Sequence, residues 1–369
     1  MISVFKPSIG KEEINAVIDA LKKGEISGSF GGYIPKFEDL FAHYVGCEYG
    51  VAVTSGTTAL HLAIASLNLP RGSEVLVSAS TNIATALAAI HNNCVPVSVD
   101  SEPLTWNLNL DLIEKLITKR TRAIISVHIY GHPVDMDRLM KLAKKYNLYV
   151  VEDCAESHGA TVRGKMTGSF GDMGCFSFYA NKIITTGEGG MVTTNNKKFA
   201  EKLRLLRNLA FMKPRFFHQL AGYNFRMTGY QAAMGVAQMK KIKTIINDKR
   251  RVAHLYNKYL GNVSGLQLPY EAEWAKNVYW MYGIVLNKKF NKSRDAVVEY
   301  LHKQGIETRS FFCPIGDQPC VKSLDGYRRT PIPVARKLWK NGMYLPSSSS
   351  LSERSIKFIA SKIIKFQSQ

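Results

Sequence analysis

No stretch of this chain narrows its fold more than residues 49–152. Tyr49–Val53, Glu74–Ser78, Val95–Val99, Ala123–Val127 and Leu148–Glu152 are short runs that are apolar almost throughout. Such runs read as strands buried on both sides, because a half-solvated strand alternates polar and apolar positions. Helical periods separate them at 58–67, 82–92, 109–118 and 134–146. Strands of this kind with helices between them predict an α/β protein whose mainly parallel sheet is covered on both faces. Sheets of that class bind ligands beyond the carboxyl ends of their strands. Here those ends are Thr54-Ser55-Gly56, Ser78 to Asn82, His128-Ile129-Tyr130-Gly131 and Glu152-Asp153.

The flanking regions are helical. Residues 11–23 place Ile14, Val17, Ile18 and Leu21 on one face and stop at Gly24, and residues 34–45 repeat the pattern. Helices follow at 197–208, 228–241 and 243–260, and from about residue 241 the character changes. A strand at Val278–Leu286, a helix at 292–304, a Pro/Gly-rich loop at 313–331 and a last helix at 352–366 predict a smaller α+β domain. With 369 residues, two domains are expected, a large one over 1–240 and a small one over 241–369.

Composition removes several classes of function. No uncharged apolar run nears the ~20 residues of a membrane span. Met1-Ile2-Ser3-Val4-Phe5-Lys6 has no signal-peptide pattern, so a cytoplasmic protein with no membrane partner is expected. The 6 cysteines form no C-x-x-C pair and read as reduced core residues. A net charge of +20 suits either nucleic acid or an anionic small substrate. The Lys-Lys pairs are scattered, however, and no basic tract is interleaved with aromatics, so no nucleic-acid partner is expected.

The chemistry concentrates in Phe176 to Gly190. An aromatic strand-like run leads to Lys182, two threonines and a glycine-rich turn, and a new strand begins at Met191. A lysine leaving a buried strand can be desolvated enough to work as a Schiff-base amine, or it can be one surface lysine among many. Ser55-Gly56-Thr57 can cradle an anion or simply cap a helix. Asp153 ends a buried strand, where a carboxylate needs a cation partner (a lysine, a metal or a protonated ring nitrogen) or serves as a cap. His128 and His132 bracket a Tyr-Gly loop before Pro133, which does not put them on one helical face, and no metal site is expected. One cofactor uses all three parts. Pyridoxal phosphate needs a phosphate cradle, an acid for its ring nitrogen and a lysine for its aldehyde.

At this point the chain resembles the DegT/StrS-type sugar aminotransferases, which are pyridoxal phosphate enzymes of fold type I. The matching blocks are Thr54 to Ala63, Glu152 to Ala160, Phe176 to Gly190, Gly222 to Met227, Gln318-Pro319 and Leu345-Pro346-Ser347. Within the family, Val127 to Pro133, Asn181-Lys182 and Glu307-Thr308-Arg309 are most similar to the perosamine synthases, which aminate a GDP-linked 4-keto-6-deoxymannose. The resemblance implies that Lys182 is the catalytic Schiff-base lysine and proton shuttle. It implies cofactor contacts at Gly56, Thr57, Asn82, Asp153, Glu156, Ser177 and Asn224, the last reaching the neighbouring copy of a homodimer. Ser27, His128, Tyr130, Arg309 and Phe311 are implied substrate contacts, with L-glutamate as amino donor and a nucleotide-linked keto sugar as acceptor. The product would be an amino sugar for surface polysaccharide such as lipopolysaccharide O-antigen.

Three positions depart from the family pattern. Asn82 stands where an aromatic usually stacks on the ring, Glu25-Ile26-Ser27 replaces Trp-Ile-Ser, and Pro314-Ile315 is followed by Gly316-Asp317 instead of a segment with histidine. These keep other acceptors open, namely UDP- or dTDP-linked 4-keto-6-deoxyglucose or an acidic octulosonate. A reading of a different class is a pyridoxal phosphate-binding regulator without catalysis.

Overall fold

The computed structural model describes residues 1–214 and 216–369. Strands β1 (Tyr49–Val53), β2 (Glu74–Ser78), β3 (Val95–Val99), β4 (Thr121–Val127) and β5 (Tyr149–Asp153) alternate with helices Gly56–Ser66, Ile83–Ile90 and Met136–Tyr146. A short hairpin of β6 (Thr161–Val162) and β7 (Lys165–Met166) precedes β8 (Met173–Ser177) and β9 (Gly190–Thr194). The main sheet has seven strands in the order β1-β9-β8-β5-β4-β2-β3. Only β9 runs against its neighbours; the other strands share one direction.

Alternate residues of a strand face opposite sides, and both sides are packed. Val51, Val75, Val77, Ile125, Val151 and Val192 meet Leu60, Leu62 and Ile64 of the following helix layer. Ala52, Phe176 and Met191 face Phe37 and Phe41 of helix Tyr33–Val45. This double burial explains the unbroken apolar strands in the sequence.

The C-terminal part adds β10 (Leu266–Gln267), β11 (Ala275–Lys276), β12 (Tyr282–Leu286), β13 (Arg309–Ser310) and β14 (Gly342–Leu345). Four of these form an antiparallel sheet, β10-β12-β14-β13, covered by helices Ile242–Leu260 and Glu353–Gln367. β11 instead pairs with β6, and Ile2 bridges to Ile306, so the chain's first residues pack with its last third.

Two expectations change. The helix read at 109–118 is one 3-10 turn, Leu110–Leu112, and a four-residue helix, Ile113–Leu116. Ile117 turns extended, and the Thr121 hydroxyl takes the Thr118 N–H at 2.9 Å, which closes the segment into β4. Helix Lys11–Lys22 forms as read, but its orientation is inverted. Ile14, Ile18 and Leu21 are exposed, while Glu13 and Ala20 are buried. Glu13 turns inward because Lys241 pairs with it at 2.6 Å, Gln238 donates at 2.9 Å and the Gly10 N–H donates at 2.7 Å.

Candidate active site

A cavity of about 310 Å³ opens at the carboxyl ends of the parallel strands, lined by Gly56, Thr57, Asn82, Asp153, Glu156, Ser177 and Lys182 among others. The first wall is the start of helix Gly56–Ser66. Ser55 caps it, its hydroxyl accepting the Thr58 N–H at 3.1 Å while the Thr58 hydroxyl takes the Ser55 N–H at 3.0 Å. The first N–H groups of a helix lack intrahelical partners and attract anions. Gly56 is required there by contact, because a Cβ on it would lie 2.6 Å from Ser177 Cβ. The helix start and the Ser177 hydroxyl thus converge on one point, a cradle that fits a phosphate.

The second wall is the end of β5 and the turn after it. Asp153 is buried, with Oδ2 accepting from the Thr85 hydroxyl at 2.8 Å and Oδ1 from the Ala155 N–H at 3.2 Å. Thr85 in turn sits 3.0 Å from the Thr81 hydroxyl, so a hydroxyl pair from the segment that follows β2 orients the acid. Glu156 accepts the Tyr130 N–H at 2.7 Å. Burial raises the proton affinity of both carboxyls above the ordinary range, and Lys182 opposes this in each case.

The third wall carries Lys182, in a turn where its N–H meets the Tyr179 carbonyl at 2.9 Å. Burial lowers its basicity below the usual lysine value, with Glu156 and Asp153 opposing. An amine poised in this way can be neutral often enough to attack a carbonyl. Its Nζ lies 3.9 Å from the centroid of the Trp280 ring.

Pyridoxal phosphate fits these groups. The helix start with Ser177 suits the phosphate, Asp153 suits a protonated ring nitrogen, and Lys182 suits the aldehyde. Asn82 lines the same cavity, although its side-chain oxygen also caps helix Ile83–Ile90 through the Ala84 N–H at 3.0 Å.

Other expected residues lie elsewhere. His128 is buried in the fold and is not among the residues that line the cavity. Its Nδ1 accepts the Val134 N–H at 3.0 Å and its Nε2 faces Glu152 at 3.2 Å, so both ring nitrogens are engaged inside the fold. Glu152 also accepts N–H groups of Gly168, Phe170 and Gly171. Within the grouping of His128, Glu152 and Cys154, the histidine and the glutamate are therefore engaged with each other and with backbone N–H groups. Phe311 is likewise buried, packed 5.2 Å from Trp106 and 4.6 Å from Tyr130, ring to ring, behind the cavity wall. Tyr130 reaches the site through its backbone and its stack on Trp280. Arg309 is exposed and paired with Glu307 at 2.6 Å, Ser27 sits in the loop after the first helix, and Asn224 is exposed and not among the residues that line this chain's own cavity. Sequence reasoning missed Thr85, Trp280, Phe312 and Tyr344. For Thr85 a signal existed, since it lies four positions after Thr81, one helical turn on; Trp280 falls inside the strand read at Val278–Leu286, and Phe312 and Tyr344 carry no local signal.

The fold and this cavity together define a fold type I, pyridoxal phosphate-dependent aminotransferase. Residues 7–364 match the DegT/DnrJ/EryC1/StrS aminotransferase family, and the chain belongs to it. It is 40% identical to a GDP-perosamine synthase of Caulobacter vibrioides, over 96% of this chain and 95% of that one. It is 38% identical to a UDP-N-acetyl-3-dehydro-alpha-D-glucosamine 3-aminotransferase of Acidithiobacillus ferrooxidans, over 86% and 84%. Among solved structures, Helicobacter pylori PseC, an aminotransferase in pseudoaminic acid biosynthesis, superposes with a TM-score of 0.93 at 27% identity, covering 99% of this chain and 98% of that chain. The enzyme is thus a sugar aminotransferase. No helix among the described residues is long and apolar enough to cross a membrane.

Proposed function

We propose that this enzyme transfers an amino group from L-glutamate to a GDP-linked 4-keto-6-deoxyhexose, giving a 4-amino sugar for surface polysaccharide in the cytoplasm. The observation that carries the reaction is the meeting of Lys182, Asp153 and the Gly56–Ser177 cradle around one cavity. The likeness to the Caulobacter enzyme over nearly the full chain supports the acceptor.

Pyridoxal phosphate supplies an aldehyde that takes up amines and a ring that withdraws electrons. Around it, Lys182 holds the cofactor in place and carries a proton to and from the reacting carbon of donor and acceptor. Asp153, braced by Thr85, would pair with the ring nitrogen and hold its proton. Glu156, which lines the same cavity, would serve the ring's oxygen substituent. Gly56, Thr57 and Ser177 would hold the phosphate, and Asn82 would border the ring. Arg309 reaches toward the acceptor from the cavity mouth, where it neighbours Tyr344 and Tyr179. The enzyme works as a homodimer in which Asn224 of each copy serves the other copy's cofactor; its exposure and its absence from the lining of its own cavity support this. Residues 1–240 and 241–369 form the two domains, with the first residues docked on the second.

A second acceptor class, a UDP-linked keto sugar, draws support from the 38% identical relative. A panel of GDP-, UDP- and dTDP-linked keto sugars, with glutamate consumption as readout, separates the two. The expected result is a kcat/KM for the GDP sugar at least about tenfold above the others. A preference for the UDP sugar would overturn the acceptor and leave the aminotransfer standing.

A further inference from the structure

The indole of Trp280 is buried beside the cavity and comes from the segment just before β12, far along the chain from Lys182. It engages both the lysine and the residue before it. The Lys182 Nζ lies 3.9 Å from the ring centroid, well inside the range of a cation–π contact. The indole N–H donates to the carbonyl of Asn181, the residue before the lysine, at 2.7 Å.

The backbone holds this indole in place at a cost. Tyr279 has a φ of 48°, a left-handed conformation unfavourable for a bulky residue. Its N–H is tied to Asn277 Oδ1 at 2.7 Å. Gly131 presses so closely on the same segment that a Cβ there would lie 2.8 Å from the Tyr279 nitrogen and 2.9 Å from that of Trp280. The ring also stacks on Tyr130 with centroids 6.3 Å apart and planes 12° from parallel, and Tyr130 stacks on Phe312 in the same manner. Strain of this kind persists where the surroundings over-determine a position, and here it aims one aromatic face at one amine.

We propose that Trp280 is the positioning residue of Lys182: its face receives the amine whenever the amine is not covalently engaged, and its N–H fixes the turn that carries the lysine. The inference rests on Lys182 being the lysine that captures the cofactor. The other groups around the amine are Asp153, Glu156 and the buried His158, with Tyr179, Tyr344 and Glu188 along the same cavity. All of them remain in the variants below.

The test is the pH dependence of the rate at which the full-length chain, freed of cofactor, captures added pyridoxal phosphate covalently, followed by absorbance. The inflection of that profile reports the amine. An aromatic face stabilises the charged amine, so Trp280→Leu is expected to move the inflection down by about one pH unit, roughly a tenfold gain in neutral amine below it. Trp280→Phe, with a weaker face, is expected to fall between. An inflection in Trp280→Leu that is unchanged or raised would overturn the proposal. If the leucine variant does not fold, the phenylalanine variant decides by the same sign. Covalent capture that persists in Lys182→Ala would instead overturn the reading of Lys182 itself.

Discussion

The acid that faces the cofactor site depends on a hydroxyl 68 positions away in the chain. Thr85 donates to Asp153 Oδ2 from inside a fully buried position, and nothing in the local sequence of either residue names the other. Thr85→Val keeps the shape and removes the donor. Leaving a buried carboxylate one partner short costs about 1–3 kcal/mol. The urea midpoint of Thr85→Val should fall accordingly and cofactor retention should weaken, while Thr85→Ser should recover both. Equal midpoints for the valine and serine variants would show that the bond contributes nothing. Lys182, Asp153 and Gly56 were legible as residues because strand ends, turns and glycines are local signals, whereas Ser177 looked like one more position of a buried strand and was implied only by the family resemblance. That Ser177 stands 2.6 Å from where a Gly56 side chain would be is a matter of packing between β8 and a helix that follows β1.

At the level of elements, the strands and most helices follow from hydrophobic period, but their orientation does not. Helix Lys11–Lys22 has an apolar face by sequence, yet the face it buries carries Glu13, since Lys241 and Gln238 wait there. The loop after β4 shows the same dependence on distant partners. His132 faces the Pro133 carbonyl at 2.8 Å with Nδ1 and accepts the Ala272 N–H at 3.1 Å with Nε2, which requires the neutral ring. Burial holds its proton affinity from the ordinary 6.5 down to about 4. The unfolded chain therefore takes up a proton between pH 6.5 and 4 that the folded chain refuses. Stability from this group is present above pH 6.5 and is lost as pH falls through that window, by about 3 kcal/mol at most. Urea midpoints measured from pH 7.5 down to about 4.5 should decline. The decline should be shallower in His132→Gln; an equal slope would remove His132 from the account.

For the whole molecule, the proposed sharing of sites between two copies makes a prediction that a single-chain enzyme would not obey. Lys182→Ala and Asn224→Ala should each be inactive alone. Unfolded together in equal amounts and refolded, they should regain roughly a quarter of the native activity, because half the dimers are mixed and each mixed dimer holds one intact site. No recovery, with both variants folded, would place Asn224 outside the partner's site. The sequence by itself determined the strand–helix alternation and set a lysine, an acid and a Ser-Gly-Thr turn at strand ends. Those features rest on interactions over a few residues, such as periodicity, capping and turn formation. Only the tertiary structure decided that His128 braces Glu152 inside the fold, that Thr85 orients Asp153, and that Trp280 of the C-terminal part lies on the Lys182 amine. Each of these joins segments far apart in the chain, where the direction of a side chain is set by what packs against it and not by its neighbours in sequence.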